Sequence, residues 1–273
     1  LPGSSIHEVY VDAPERYRAA GEIARHELDG APAALAGQAD TRAAKGTPVL
    51  VFNPLGWTRS DPVRVELPRD AAGPWAVFDA AGREVPAQVL PSGRYGAEIL
   101  FVAQDVPALG HALFDLRQQR PAPMNTSLQV GRDRIENAIF SVAIDPATGT
   151  VRSLVDKRKG VEILAGPGDD LQVLEDRPDA WDAWNIGLTG TRYPTSFRGV
   201  EVVERGPVRA VLRITRDYLK PGTKKDYPTE DFPTSFFRQD IVLWDGLDRI
   251  DFVADVDWWE EKTMLKVAFP VSV

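Results

Sequence analysis

The sequence predicts a mainly β protein: a small β-sandwich followed by part of a large antiparallel β-sandwich, with one helix before them. From Pro48 onward, short runs rich in β-branched and aromatic residues alternate with turn residues, which is typical of β-sandwiches. A helical period occurs near the N-terminus. Hydrophobic residues make up 43% of the 273 positions and charged residues 26%, so the chain can bury a packed core.

The opening helix has Asp12 as its predicted N-cap, Pro14 in its first turn and Gly30 as its predicted end. Three- and four-residue spacing gives it one narrow apolar face, made of Tyr17, Ala20, Gly21, Ala24 and Leu28. Such a face requires close neighbours, and residues 31–46 supply none. We therefore expect this helix to be left over from a helical bundle whose other members lie outside the chain.

Residues 47–120 are predicted to form the small β-sandwich. Its predicted strands are 49–52, 63–67, 75–78, 85–90, 99–102 and 112–116. Residues 79–82 lie between two of these strands and predict a hairpin turn in which Gly82 takes a positive φ. The stiff Pro-Ala-Pro segment at 121–123 then marks a domain boundary.

Residues 121–273 are predicted to form the N-terminal part of the large sandwich, after a helical segment at 1–46 and the small sandwich at 47–120. Its predicted strands are 139–144, 151–155, 171–174, 200–203, 208–215, 240–243, 250–256 and 265–269. The last run stays apolar to Val273, and Leu1 is followed by no signal pattern. We therefore expect the sequence to be truncated at both ends.

Composition excludes several classes of function. A formal charge of −8 and a pI near 5.0 argue against a nucleic-acid partner. The absence of cysteine rules out disulfides and thiolate metal sites, and no apolar run approaches the roughly 20 residues that span a membrane. His7, His26 and His111 are too far apart in sequence to predict a metal site in this chain.

The acidic cluster around the paired tryptophans 258–259 suggests a glycosidase carboxylate pair. Its members are Asp255, Asp257, Glu260 and Glu261. Alternation along a strand at 250–257 instead predicts that Ile250, Phe252, Ala254 and Val256 point inward, and that Asp251, Asp255 and Asp257 face solvent. We therefore interpret the cluster as a solvated strand face and turn, and we predict no catalytic residue here.

The segment 176–185 is the strongest candidate for ligand contact. It places Trp181 and Trp184 three residues apart among carboxylates, with Asp182 between them. An indole ring stacks on the apolar face of a pyranose, and a carboxylate accepts hydrogen bonds from neighbouring sugar hydroxyls. Tryptophan is also a common core residue, so structural packing is the alternative for Trp181, Asp182 and Trp184.

Four stretches in this order resemble family 38 α-mannosidases, over nearly the whole chain. They are Leu-Pro-Gly-Ser-Ser-Ile at 1–6, Val-Phe-Asn-Pro-Leu-Gly-Trp at 51–57, Trp-Asp-Ala-Trp-Asn at 181–185, and Val-Asp-Trp-Trp-Glu at 256–260 continuing to Leu-Lys-Val-Ala-Phe-Pro-Val at 265–271. The third resembles the cytosolic and vacuolar branch, which implies a cytoplasmic location. That branch usually has Asp where this chain has Asn185.

The resemblance implies a zinc-dependent, retaining α-mannosidase with an aspartate nucleophile and a second acidic residue as acid/base. In the family these groups and the zinc ligands lie in the N-terminal α/β domain, and none matches a residue of this chain. The implied partners are that catalytic domain and further C-terminal strands of the same polypeptide, together with a mannose-containing oligosaccharide. Homo-oligomerisation stays open.

The sequence therefore predicts a noncatalytic region of an α-mannosidase, inactive alone, that braces the catalytic domain and lines part of its sugar cleft. Two alternatives remain. The first is a free-standing carbohydrate-binding β-sandwich, which exposed tryptophan rings in a groove would favour. The second is a structural assembly module, which burial of Trp181 and Trp184 would favour; a bare apolar face on the helix would favour the α-mannosidase interpretation.

Overall fold

The computed structural model describes residues 7–67, 73–92, 96–181, 184–219 and 235–272. These residues form mainly antiparallel β-sheets with one helix, so the predicted fold class is confirmed. They divide into two compact units, Leu1–Ala122 and Pro123–Val273. The finer division into 1–46, 47–120 and 121–273 stays a prediction.

Helix α1 (His7–Ala36) is longer than the sequence predicts. Both predicted ends, the N-cap at Asp12 and the stop at Gly30, are wrong. The helix continues through Pro14, although proline cannot donate the helical hydrogen bond. Beyond Gly30 it continues through residues 31–36, whose alanines favour a helix by enough to offset the roughly 1 kcal/mol that glycine costs.

The apolar face of α1 is bare. Tyr17 is 76% exposed and Leu28 is 68% exposed. Within the described part of the chain, no helix is both long enough and apolar enough to cross a membrane. The exposed face instead has the composition of a surface that packs against another protein element.

The first unit continues with seven described strands: β1 (Thr47–Asn53), β2 (Arg59–Glu66), β3 (Ala76–Asp79), β4 (Glu84–Val85), β5 (Ala87–Ser92), β6 (Gly96–Val106) and β7 (Gly110–Arg117). They pair in the orders β1-β7-β3-β4 and β2-β6-β5. Both sheets contribute to one apolar core, whose fully buried members include Val77, Ile99 and Phe101.

The predicted hairpin turn is confirmed, because Gly82 has a φ of 77° and its N–H donates to Asp79 O at 2.9 Å. The single strand predicted at 85–90 is wrong. Pro86 divides it, and β4 pairs with β3 in one sheet whereas β5 pairs with β6 in the other. Proline lacks the donor that a continuous ladder needs, so the chain changes sheets there.

The second unit has twelve described strands: β8 (Gln129–Val130), β9 (Arg134–Glu136), β10 (Phe140–Ile144), β11 (Val151–Asp156), β12 (Val161–Glu162), β13 (Asp170–Asp176), β14 (Leu188–Tyr193), β15 (Ser196–Arg205), β16 (Arg209–Tyr218), β17 (Ser235–Trp244), β18 (Ile250–Asp257) and β19 (Thr263–Ala268). Their sheet orders are β12-β11-β10-β9-β8, β15-β16-β17-β18 and β14-β13-β19. The first two sheets enclose the main core.

A smaller core lies under the three-stranded sheet. Leu171 and Val173 of β13 pack with the fully buried Tyr218 of β16 and Phe237 of β17. This cluster fixes β13 against the ends of β16 and β17. Leu171 and Val173 therefore attach the first half of β13 to a packed core.

The strand alternation predicted for 250–257 holds in part. Ile250 and Phe252 pack on the main core, but Val256 is 38% exposed and Ala254 is exposed as well. Asp251 lies on the opposite face and is partly exposed, and its carboxylate accepts a hydrogen bond from Trp244 Nε1 at 2.7 Å. Among the described strands β18 is the last of its sheet, so its second half lacks the cover that alternation assumes.

Candidate functional site

Two loops meet at one end of the three-stranded sheet. Strands β13 and β19 are antiparallel with Glu175 opposite Thr263, so the loop that follows β13 and the loop that precedes β19 emerge together. Asp176 N donates to Lys262 O at 3.0 Å and joins them. We call loops 177–187 and 258–262, with Asp176 and Thr263, the tryptophan end of β13.

The first loop has a tight neck. Arg177 N donates to Gly187 O at 2.8 Å, and Gly187 N donates to Asp176 Oδ1 at 2.7 Å. A Cβ atom at position 187 would lie 2.4 Å from Pro178 N, closer than atoms can approach. Glycine is therefore required there, and the neck holds the rest of the loop in place.

Both predicted indoles of this loop are exposed: Trp181 by 75% and Trp184 by 57%. Trp184 N and Asn185 N both donate to Trp181 O at 2.8 Å, which closes a compact turn. Trp181 has a φ of 59°, a conformation that costs a non-glycine residue about 1 kcal/mol and often marks functional segments. Asp182, the third predicted contact, lies outside the described residues.

Asn185 has a structural role in the same turn. Its Nδ2 donates to Ala180 O at 2.9 Å, and an ionised carboxylate has no such donor. The amide at this position therefore serves the loop conformation.

The second loop adds an indole that sequence reasoning did not propose as a sugar contact. Trp259 is 76% exposed, and its Nε1 donates to Asp257 Oδ1 at 2.6 Å. Ser235 Oγ accepts from Trp259 N at 3.2 Å and donates to Glu260 Oε1 at 2.9 Å. The loop is thus anchored at its backbone while its ring stays exposed.

A cleft of about 300 Å³ lies between the loop bases, at the lower limit of small-ligand sites. It is lined by Asp176, Arg177, Pro178, Lys262 and Thr263. A carboxylate, two cationic side chains and a hydroxyl thus border one cavity next to both tryptophan loops. This combination can hydrogen-bond a polyol while the indoles contact its apolar faces.

Two titratable side chains of this region, Glu175 and Tyr218, have shifted pKa values. Arg177 and Thr189 donate to the Glu175 carboxylate and lower the pKa of Glu175 to about 2. Burial, together with the nearby Glu260, raises the pKa of Tyr218 to about 12. At neutral pH Glu175 is therefore ionised and Tyr218 is neutral.

The acidic cluster at 255–261 is engaged in structural contacts. Asp255 pairs with Arg238, while Asp257 and Glu260 accept the bonds described above. Among the described residues, no group of three His, Asp or Glu side chains could hold a metal ion. Within the ranges that the structure describes, the side chains therefore do not fit zinc.

The Asn-Pro-Leu-Gly-Trp motif at 53–57 is a structural turn. The buried Asn53 uses its Nδ2 to donate to Trp57 O at 2.7 Å and to Val106 O at 3.0 Å. Its Oδ1 accepts from Leu55 N at 3.1 Å. The motif therefore contributes to the first unit's stability through the satisfied Asn53 amide.

The chain matches the family described as "Glycosyl hydrolases family 38 C-terminal domain" over residues 135–273. Similar curated proteins are the Alpha-mannosidase 2C1 of Mus musculus and that of Homo sapiens. The mouse protein is 28% identical over 297 residues, which cover 100% of this chain and 23% of the relative. The human protein is 29% identical over 214 residues, which cover 70% and 18% respectively. The chain thus spans about a quarter of these relatives or less.

Two solved structures share the fold. An alpha-mannosidase from Enterococcus faecalis V583 has a TM-score of 0.74 at 16% identity, with 97% of this chain and 36% of that chain covered. A protein in the Glycosyl Hydrolase Family 38 from Enterococcus faecalis has a TM-score of 0.76 at 18% identity, with 98% and 38% covered. At this identity the similarity establishes the fold.

Proposed function

Because this chain belongs to glycosyl hydrolase family 38, whose C-terminal domain it carries over residues 135–273, we propose that it is the noncatalytic β region of an α-mannosidase. In this proposal the region braces a catalytic domain of the same polypeptide and lines part of its sugar cleft. The whole protein hydrolyses terminal α-mannosyl residues of oligosaccharides with retention. It acts in the cytoplasm, as the resemblance to the cytosolic and vacuolar branch implies.

The observation that carries this proposal is the exposure of three indoles at the tryptophan end. Trp181, Trp184 and Trp259 are each more than half exposed, on loops anchored by backbone hydrogen bonds. Core tryptophans are buried, whereas exposed indoles can stack on the apolar face of a sugar ring. Their exposure supports sugar contact over a purely structural assembly role.

The chemistry of the described residues favours binding over hydrolysis. Retaining hydrolysis needs two carboxyl groups about 5 Å apart that face one glycosidic bond, and the acids at 255–261 serve structural contacts. We propose that the catalytic carboxylates and zinc belong to another domain of the polypeptide. The bare apolar face of α1, with Tyr17 and Leu28 exposed, supports a neighbouring domain on the first unit.

At the tryptophan end, each group has a distinct task. The indoles stack on the C–H faces of the sugar and exclude water. Lys262 supplies donors, and Asp176 supplies an acceptor for hydroxyl groups. These contacts orient a mannoside without taking part in bond cleavage, so their loss weakens substrate binding and leaves the chemical step nearly unchanged.

Hydrolysis of p-nitrophenyl α-mannoside tests the proposal. The 273-residue chain should release no p-nitrophenol, whereas a polypeptide that joins it to a family 38 catalytic domain should be active. In that polypeptide, Trp184→Ala should raise KM about fivefold with kcat nearly unchanged, the loss expected for one stacking contact. Turnover by the chain alone, or an unchanged KM, would contradict the proposal.

A free-standing carbohydrate-binding module is the second candidate, since the same exposed indoles favour it. The two candidates differ in their use of α1. If a catalytic domain packs on α1, Leu28→Asp should break that contact and make the joined polypeptide less stable. If the chain is a free-standing module, Leu28→Asp should leave mannoside binding unchanged. Comparing thermal unfolding and sugar binding of this variant separates them.

A further inference from the structure

A second polar cleft lies at the other end of β13. Asp170 begins β13 and lines this cleft, whereas Asp176 ends β13 and lines the cleft of the tryptophan end. At about 3.3 Å per residue, the two are roughly 20 Å apart. The second cleft has a volume of about 720 Å³, well within the range of small-molecule sites. We call it the Arg216 cleft.

Arg216 is 5% exposed and lines this cleft. Its Nε donates to the Gln239 amide oxygen at 3.3 Å, while Nη2 has no hydrogen-bond partner. A buried donor without a partner costs about 1–3 kcal/mol. The guanidinium therefore has a donor to offer at the base of the cleft.

A rigid layer holds the guanidinium in position. Gln239 Nε2 donates to Asp169 Oδ1 at 2.8 Å, which links Arg216 through Gln239 to the buried Asp169. The Phe197 ring covers the guanidinium with its centroid 5.6 Å from Arg216 Cζ. A Cβ atom at Gly149 would lie 2.5 Å from that ring and 3.0 Å from Arg216 Nη2, so only glycine permits this packing.

The rim of the cleft carries both hydrogen-bond donors and hydrogen-bond acceptors. Asp170 accepts from Arg192 Nη2 at 2.7 Å, and Asp145 Oδ1 accepts from Ala147 N at 2.8 Å. Thr148 and Thr195 add hydroxyl groups. Two carboxylates would repel an anionic ligand, whereas alternating carboxylates, guanidinium groups and hydroxyls suit the hydroxyl groups of a neutral sugar.

We propose that the Arg216 cleft binds a neutral hexose, as a carbohydrate site separate from the tryptophan end. Arg216 and Arg192 donate to the sugar hydroxyls, and the carboxylates of Asp145 and Asp170 accept from them. The Phe197 ring supplies an apolar surface beside these groups. The proposal rests on the proposed function only in the choice of a mannoside as the first probe.

Two-dimensional amide NMR tests the proposal by titration of the chain with methyl α-D-mannopyranoside, methyl α-D-glucopyranoside and methyl α-D-galactopyranoside. At least one should shift the backbone signals of Thr148 and Thr195 along a saturable curve. Arg216→Lys keeps the charge but removes the fork of donors, and should raise the Kd of that curve about tenfold. Absence of saturable shifts with all three sugars would overturn the proposal.

A second variant keeps the test independent of the buried cluster. Ala147 is exposed at the rim, so Ala147→Trp should fill the cleft and abolish the shifts at Thr195. Ala81→Trp is the matched control, because Ala81 N likewise donates to an aspartate two residues earlier, Asp79, at 3.0 Å in the other unit. Unchanged binding in Ala147→Trp would overturn the proposal.

The two sites can fail separately. Trp184→Ala should raise the Kd of the sugar-induced shifts at the tryptophan end about fivefold and leave the Kd of those at Thr148 and Thr195 unchanged. If only the indole signals respond to sugar, the proposed function stands and the Arg216 cleft is rejected. If only the cleft signals respond, the tryptophan end is rejected and the cleft stands.

Discussion

The two ends of β13 present the same kinds of side chain in opposite settings. At the tryptophan end, indoles and charged groups lie on exposed loops, and hydrogen bonds from the loop backbones hold these loops. At the other end, Asp169 and Arg216 are buried and hydrogen-bond to Gln239 of β17, which lies in a different sheet from β13. Substitutions at the exposed end should therefore alter binding, whereas substitutions at the buried end should also alter folding.

The largest expected effect is at the buried end. Gly149→Ala places a Cβ atom 2.5 Å from Phe197 at a φ of 69°, and should lower the free energy of unfolding by about 2–4 kcal/mol through backbone strain and overpacking. Urea denaturation measures this. Gly160 has a φ of 63° with open space around it, so Gly160→Ala should cost about 1 kcal/mol; equal losses would refute the packing described for Arg216.

The second effect depends on pH. Burial raises the pKa of Asp169 from 3.8 to about 6, so the folded chain keeps this proton over a window in which the unfolded chain has lost it. Its contribution to stability is therefore present at low pH and falls as pH rises towards 6 and above. Asp169→Asn should remove this pH dependence. Relative to the parent chain, its free energy of unfolding should rise by roughly 1–2 kcal/mol between pH 5 and pH 8.

Urea denaturation at several pH values checks the prediction. The groups that face Asp169 are Arg216, Gln239 and the nearby Asp170. Asp179 is exposed in the tryptophan loop, so Asp179→Asn should change the free energy of unfolding by less than about 0.5 kcal/mol. If the two variants behave alike, the contrast between the ends of β13 does not hold.

A third prediction concerns the exposed end. Trp184→Ala should change the free energy of unfolding by less than about 0.5 kcal/mol, yet weaken mannoside binding about fivefold. Calorimetric titration and urea denaturation give the two quantities. Trp57 in the first unit is 63% exposed, and Trp57→Ala should alter neither; a large stability loss in Trp184→Ala would mean that the indole serves packing.

The smallest effect is a local shift in ionisation. Arg177 is the principal cause of the low pKa of Glu175, and Thr189 is the second. Arg177→Ala should therefore raise the pKa of Glu175 towards its ordinary value of 4.5, and Thr189→Val should raise it less. Carboxyl NMR titration measures both. A larger change in Thr189→Val would show that the guanidinium does not control this charge.

The fold was predictable where burial leaves a regular pattern. The run predicted at 208–215 lies almost wholly within β16, whose side chains are mostly buried. Strand β14 escaped prediction, because its six residues are nearly all exposed and do not alternate. The ends of α1 were wrong because local capping signals compete with alanine propensity.

The candidate sites were predictable only in part. Trp181 and Trp184 stand out by residue type. Lys262 lies some ninety residues further along the chain, and the pairing of β13 with β19 brings it beside the tryptophan loop. No local sequence pattern reveals this pairing. Asp169 and Gln239 are likewise 70 positions apart. Long-range strand pairing, rather than short motifs, assembles both clefts.

The most direct test of the account is an NMR titration of the chain with methyl α-D-mannopyranoside, observed at the indole N–H signals. The account predicts saturable shifts at Trp181, Trp184 and Trp259, with no shift at Trp57. Signals at the tryptophan end that stay unchanged at saturating sugar, or that move no more than Trp57, would contradict the assignment of this end as a mannoside-contacting surface.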